Sequence, residues 1–278
     1  MTGTLDLRYG LLAISLLVCG ACRSEAPHVT PSSSPSVVSS PSVVETSEDY
    51  GLLRWDNVSL YNNGWGQQYL SPGSVHSGTV YHSTDGRLIG WEWSWPEERP
   101  EQLKAYPSLI IGDKPVPTAG LDESTDPRFP LHLAAVSQLW FEGELAVSAS
   151  GSYDFAFDLN LLEGPRSTPG AIRTEIMVWL DSSQVCGGRI AGAYDIDGTA
   201  YDLCVDPAWN PSVPYLAFIR RGGSIPERVP LHDFIHIAFQ LGYYGPDAWL
   251  AAVELGPEIW WGDGQATLRD MHLVLTMK

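Results

Sequence analysis

Three stretches of the chain set carboxylates among alternating apolar residues. Asp158 lies in Tyr153-Asp154-Phe155-Ala156-Phe157-Asp158-Leu159-Asn160-Leu161, and Glu175 opens Glu175-Ile176-Met177-Val178-Trp179-Leu180. Glu254 and Glu258 fall between Leu250 and Trp260. Paired carboxyl groups suit glycosidic hydrolysis: with retention of configuration, one is nucleophile and the other acid/base, about 5–5.5 Å apart. A glutamate on a solvated sheet face needs no such role, so spacing alone only nominates Glu175, Glu258 and Asp158. Other reactive side chains make weaker cases. Of the seven His, only His232 and His236 have ligand-like spacing; the residue after the first is Asp233, not the Glu of the metalloprotease arrangement, so no metal is expected. No Gly-x-Ser-x-Gly elbow, phosphate loop or dinucleotide fingerprint occurs, and no cofactor is expected. Asp195-Ile196-Asp197-Gly198 begins as a calcium loop does, but its glycine is misplaced and a hairpin turn is the better reading.

These carboxylates need strands to hold them. In the stretch 153–161 every odd position is aromatic or aliphatic and the even ones are polar or small, which predicts one core face and one open face. Ile176, Val178 and Leu180 face one way, while Glu175, Met177 and Trp179 face the other. The same parity gathers Ala252, Glu254, Gly256 and Glu258, provided no bulge intervenes at Pro257. Residues 189–206 read as a hairpin about Asp197-Gly198. One segment is helical: Leu231, Phe234, Ile235, Ala238, Phe239 and Leu241 recur at helical spacing, behind Pro230 and before Gly242. Gly 27 and Pro 21 in 278 residues fit many short strands and turns, and residues 50–278 suit a single all-β domain with one helix on the outside.

The charge excludes one class of partner. Lys+Arg 16 against Asp+Glu 33 gives a net charge of −17, which repels nucleic acid. At the other end of the chain, an apolar run from Gly10 to Val18 behind Arg8 reads as a secretory signal. It ends in Cys19-Gly20-Ala21-Cys22, which resembles a bacterial lipoprotein cleavage box with Cys22 lipidated, although Cys19 stands where Leu is usual. Residues 23–49 form a Ser/Pro-rich spacer in which Ser34-Pro35-Ser36-Val37-Val38 recurs as Ser40-Pro41-Ser42-Val43-Val44. The expectation is an exported monomer, a cell-surface or periplasmic lipoprotein held to a membrane only by its lipid; an ordinary secreted protein is the alternative. Export favours pairing Cys186 with Cys204. Ideal register about Asp197-Gly198 would not set those two opposite each other, so the sequence leaves the pairing open.

Motif order then points to a family. Glu175-Ile176-Met177-Val178-Trp179-Leu180 resembles the nucleophile strand of glycoside hydrolase family 12. Asn62-Asn63-Gly64-Trp65-Gly66, Lys104-Ala105-Tyr106-Pro107 and Phe157-Asp158-Leu159 resemble three further landmarks of that family, and Val253 to Gly262 resembles its acid/base strand. The resemblance covers residues 55–278. It implies a β-jelly-roll sandwich of two antiparallel sheets, with a concave cleft for a β-glucan polysaccharide and no metal. The implied activity is retaining, endo-acting cleavage of β-1,4-glucosidic bonds in cellulose-type glucans. Xyloglucan or mixed-linkage β-glucan hydrolysis, or glycan binding without turnover, are the alternatives. Carried over, Glu175 is the nucleophile, Glu258 the general acid/base, and Asp158 a hydrogen-bonding partner on the nucleophile side. Met177 lines the catalytic subsite, Asn63 and Trp65 bind sugar, and Glu254 shares the cleft floor.

Departures from the family pattern bear on substrate choice. Gly64, Asn160, Cys186, Tyr201 and Cys204 replace residues usual in the family at sites expected to border the cleft. Trp91, Trp93 and Trp95 share a face; the first two are expected in the core, and Trp95 at the rim.

Overall fold

The computed structural model describes residues 42–115, 121, 123–206 and 212–278. The signal, Cys22 and the spacer as far as residue 41 lie outside them. In chain order the strands are β1 (Val43–Thr46), β2 (Leu52–Trp55), β3 (Val58–Tyr61), β4 (Ser77–Ser83), β5 (Leu88–Trp95), β6 (Ser108–Gly112), β7 (Leu131–His132) and β8 (Val136–Ala149). They continue as β9 (Ser152–Leu162), β10 (Ile172–Ser182), β11 (Arg189–Ile196), β12 (Thr199–Val205), β13 (Tyr215–Arg220), β14 (Arg228–Val229), β15 (Trp249–Leu250) and β16 (Ala252–Met277). Among the described residues one α-helix occurs, α1 (Leu231–Gln240).

Two layers share the long last strand. The first half of β16 pairs with β6 and β9, inside a sheet ordered β2-β3-β6-β16-β9-β10-β13-β12-β11. Its second half pairs with β5 and β8, inside a sheet ordered β1-β4-β5-β16-β8-β14. The strand changes layers where its register with β9 shifts between Ile259 and Trp261 and Gly262 takes a φ of +111°. A side chain there would be strained by that φ and would also press on the Ser150 carbonyl. Alternation along the strands builds the core between the layers. Trp91 of β5 meets Phe155 of β9 edge to face at 5.2 Å, and Phe141 of β8 meets Phe157 at 5.0 Å.

The helix covers the end of the larger sheet. Its Phe234 packs edge-on against Tyr201 of β12 at 5.0 Å and Phe218 of β13 at 5.1 Å. This places Tyr201, 1 % exposed, on the core side of the sheet rather than at the cleft border. Trp95 is likewise buried, its ring tilted against His76 at 4.4 Å, because odd parity along β5 puts it with Trp91 and Trp93 in the core. Among the described residues one strand pair is parallel, β10 with β13, within an otherwise antiparallel set of pairings. The expected spacer also ends earlier than residue 49: β1 pairs Val43 to Thr46 with Ser83 to Val80 of β4. The Val-Val pair there supplies β-branched residues to an open sheet edge, which the Ser/Pro composition around it concealed.

The hairpin forms as expected, with Asp197 and Gly198 at φ +50° and +78° between β11 and β12. Asp195 Oδ1 accepts from the Gly198 N–H at 3.1 Å. Cys186 and Cys204 form a disulfide. A register shift between Ile190 and Gly192 and the curl of residues 183–188 bring Cys186 beside β12, which an ideal ladder would not do.

Candidate active site

Three adjacent strands, β16, β9 and β10, present their non-core faces together. Met177 of β10 is registered with Asp158 of β9, which is registered with Glu254 of β16. One step along, Glu175 lies opposite Asn160, and at the far end Glu258 lies opposite Asp154. The two glutamates therefore occupy diagonal corners of one patch, with β9 between them. Glu175, Asp158 and Glu258 are half-buried, each with part of its surface open. The floor beneath is sealed by Ala156, Met177, Trp179, Cys204, Tyr215 and Ala217, an apolar cluster separate from the main core. The parity read from the sequence is the observed one on all three strands.

The family's other landmarks support the end of the patch nearest Glu258. The segment 104–107 runs against β16: Ile259 N–H donates to the Ala105 carbonyl at 2.9 Å, and Lys104 N–H to the Ile259 carbonyl at 2.9 Å. Buried Lys104 also donates through Nζ to the Trp260 carbonyl and to the Arg99 carbonyl at 3.3 Å. This approach explains Gly256 on β16, because a Cβ there would lie 2.1 Å from the Pro107 carbonyl oxygen. The Asn-Trp motif is tied to the same segment, through Gly66 N–H to the Lys104 carbonyl at 2.5 Å and Tyr106 N–H to the Asn63 carbonyl at 3.0 Å. Asn63 and Trp65 are half-buried there, with Trp65 edge-on to Tyr69 at 6.0 Å. Asn62, in contrast, is a structural clamp that donates to the Glu48 and Gly78 carbonyls.

Electrostatics differ from one carboxyl to the next. Burial, followed by the charges of Glu175 and Glu254, pushes Asp158 well above the ordinary carboxyl range, while Lys114 and Asn160 pull the other way. The Asn160 amide donates to both Asp158 oxygens, at 3.0 and 3.1 Å, so this departure from the family pattern holds Asp158 in place. Glu254 is 1 % exposed and forms an ion pair with Lys114, with Ser108 Oγ 3.4 Å away. It belongs to the floor but is engaged by the chain itself. Met177, also buried, accepts from the Tyr215 hydroxyl at 3.1 Å. Burial and then the charges of Asp154 and Asp158 push Glu258 well up from its ordinary value.

A groove of about 200 Å³ opens at Glu258, walled by Trp179, Val185, Cys204, Tyr215 and Trp260. Sequence reasoning did not single out Asp154, Lys114, Tyr215 or Trp260. The tyrosine enters through the parallel pairing of β13, which no local pattern signals, whereas Asp154 stood in plain view on the polar face of β9. A larger concavity of about 560 Å³ lies on the other sheet, around Glu92 and Gln265, away from this constellation. Among the described residues no group of His, Cys, Asp and Glu could hold a metal ion, and no helix is long and apolar enough to cross a membrane.

Known proteins share this architecture. No protein-family model matches the chain. Endoglucanase S of Pectobacterium parmentieri is 24% identical, over 84% of this chain and 88% of its own length. The xyloglucan-specific endo-β-1,4-glucanase A of Aspergillus niger is 24% identical, over 80% of this chain and 88% of its own. Among solved structures, a family 12 xyloglucanase from Bacillus licheniformis superposes with a TM-score of 0.70 at 23% identity, covering 84% of this chain and all of that one. The endoglucanase Cel12A of Rhodothermus marinus gives 0.71 at 18% identity, with the same coverage. Sequence motifs and architecture agree, and the chain has the fold of the family 12 glycoside hydrolases.

Proposed function

We propose that the protein is an endo-β-1,4-glucanase that hydrolyses its glucan by retaining double displacement. The observation that carries this reading is the single patch on β16, β9 and β10, where three partly buried carboxyls stand beside an apolar floor. In the first step the Glu175 carboxylate attacks the anomeric carbon, and Glu258 passes its proton to the departing glycosidic oxygen. In the second, Glu258 takes a proton from water, whose oxygen attacks the same carbon and releases Glu175. Asp158, fixed by Asn160, sets the charge beside Glu175, and the charges of Glu254, its cross-strand partner on β16, and of Lys114 act on Asp158. Met177 and Tyr215 shape the floor under the reacting sugar, with Asn63 and Trp65 binding further sugars.

A xylosylated backbone is the second reading, supported by the names of several relatives. Reducing-sugar release from carboxymethyl cellulose, mixed-linkage β-glucan and xyloglucan, run beside Glu175→Gln, tests both. Turnover by the wild type and loss in the variant is the expected result, and the preferred polymer identifies the substrate. Equal inertness of both proteins, with a glucan still bound, would make this a binding module. Attachment through Cys22 belongs to the same proposal: Cys22→Ala should release the domain from membranes with its specific activity unchanged.

A further inference from the structure

Among the described residues, Asp154 is the one carboxylate whose two oxygens are both buried without a donor. It is fully buried, and among the described residues neither of its oxygens accepts from an N–H or O–H donor. The polar group that meets it is the Glu258 carboxyl, its cross-strand partner on β16. Two carboxyl groups bond to each other only when a proton lies between them, and an ionised pair in such a site is strongly disfavoured.

We propose that Asp154 and Glu258 form a proton-sharing dyad, in which Asp154 is the positioning residue that makes Glu258 a usable acid. The inference rests on the assignment of Glu258 as acid/base, and it follows from where the protons go. With both carboxyls protonated, transfer of the Glu258 proton to a leaving oxygen creates a Glu258 carboxylate. Asp154 then donates its own hydrogen bond to that carboxylate, and the dyad ends as a stable monoanion. With Asp154 already ionised, the same transfer leaves two adjoining carboxylates, one of them wholly buried. The competent form is therefore the doubly protonated one.

The sign of the pH dependence follows. Burial raises Asp154 well above the ordinary value, and the hydrogen bond from Glu258 to its ionised form pulls it part of the way back. Activity is thus lost as pH rises through the first ionisation of the dyad. Other groups face Glu258 as well: Asp158 on β9, Tyr106 from the 104–107 segment, Tyr215 on β13 and Asp206 on the groove wall. Tyr215 also faces Glu175. Burial keeps Tyr106 and Tyr215 far above their ordinary value, so both stay neutral where the enzyme works. Asp158 is held by Asn160, and its register partners are Met177 and Glu254. Among the described residues, Asp154 is the one in register directly opposite Glu258 on β9.

Asp154→Asn tests this, because the amide donates to Glu258 at every pH and preserves shape. Two readouts are needed: the pH profile of kcat/KM, and carboxyl titration by 13C NMR of the glutamate- and aspartate-labelled protein without substrate. In the wild type both carboxyls should report the same two coupled steps. In Asp154→Asn, Glu258 should titrate in one step, and the alkaline limb of kcat/KM should move to higher pH by about one unit or more. Independent single-step titration of Asp154 and Glu258 in the wild type, or an unmoved or acid-shifted limb in the variant, overturns the dyad. Should Asp154→Asn fold poorly, the wild-type titration decides alone. Failure of the wild type to cleave any glucan would sink the functional reading, while the titration would still decide the dyad.

Discussion

Opening the Cys186–Cys204 bond should loosen both the fold and the groove at Glu258. The bridge spans a sequence separation of 18 residues. For a loop of that size the loss of loop entropy in the unfolded chain corresponds to about 3 kcal/mol. In a domain of this size that is a fall in Tm of about 6–12 °C. The functional effect comes from place: Val185 and Gly187 flank Cys186, and together with Cys204 they wall the groove containing Glu258. The double variant Cys186→Ala/Cys204→Ala avoids a free thiol and is the cleaner perturbation. Urea unfolding followed by tryptophan fluorescence gives the stability change, and kinetics on cello-oligosaccharides of increasing length give the binding change. KM should rise for substrates long enough to pass Glu258 and stay unchanged for shorter ones. A loss below about 1 kcal/mol with KM unaltered at every length would refute the reasoning, since the bridge would then constrain neither the unfolded chain nor the groove.

Lys114→Met should cost about 3–5 kcal/mol in urea unfolding, because it strands the buried Glu254 carboxylate, and adding Glu254→Leu should recover most of that loss. Gly256→Ala should cost about 1–3 kcal/mol in the same assay, as its methyl group displaces the Pro107 carbonyl. The segment 104–107 is fixed to Ile259, next to Glu258, so kcat/KM should fall further, by on the order of 100-fold for a 1 Å displacement of the acid.

The parts of this molecule that obey a local period were legible from its residues. Alternation assigned the faces of 153–161 and 175–180 correctly, and helical spacing found α1, whose last turn ends two residues before Gly242. The parts set by distant pairing were not. Val43–Thr46 becomes a strand only because β4 offers it an edge, and Tyr201 turns to the core because α1 lands on it. Trp95 shares the parity of two core tryptophans, and that parity outweighed its place at the strand end. The disulfide depends on a register shift that composition does not encode. The site shows the same division. Motif and parity nominated Glu175, Asp158 and Glu258 and placed them on one face, whereas the isolation of Asp154 follows from burial and from the cross-strand register of β9 with β16.

The central claim, covalent catalysis by Glu175 with Glu258 as acid/base, is tested most directly by trapping the intermediate. A 2-deoxy-2-fluoro cello-oligosaccharyl fluoride slows both steps but keeps an excellent leaving group, so the glycosyl-enzyme should accumulate. Intact mass followed by peptide mapping should then show one sugar adduct, on Glu175, in the peptide containing Met177 and Trp179. An adduct on Glu258, or a protein that turns over glucan yet never carries an adduct, would contradict the account.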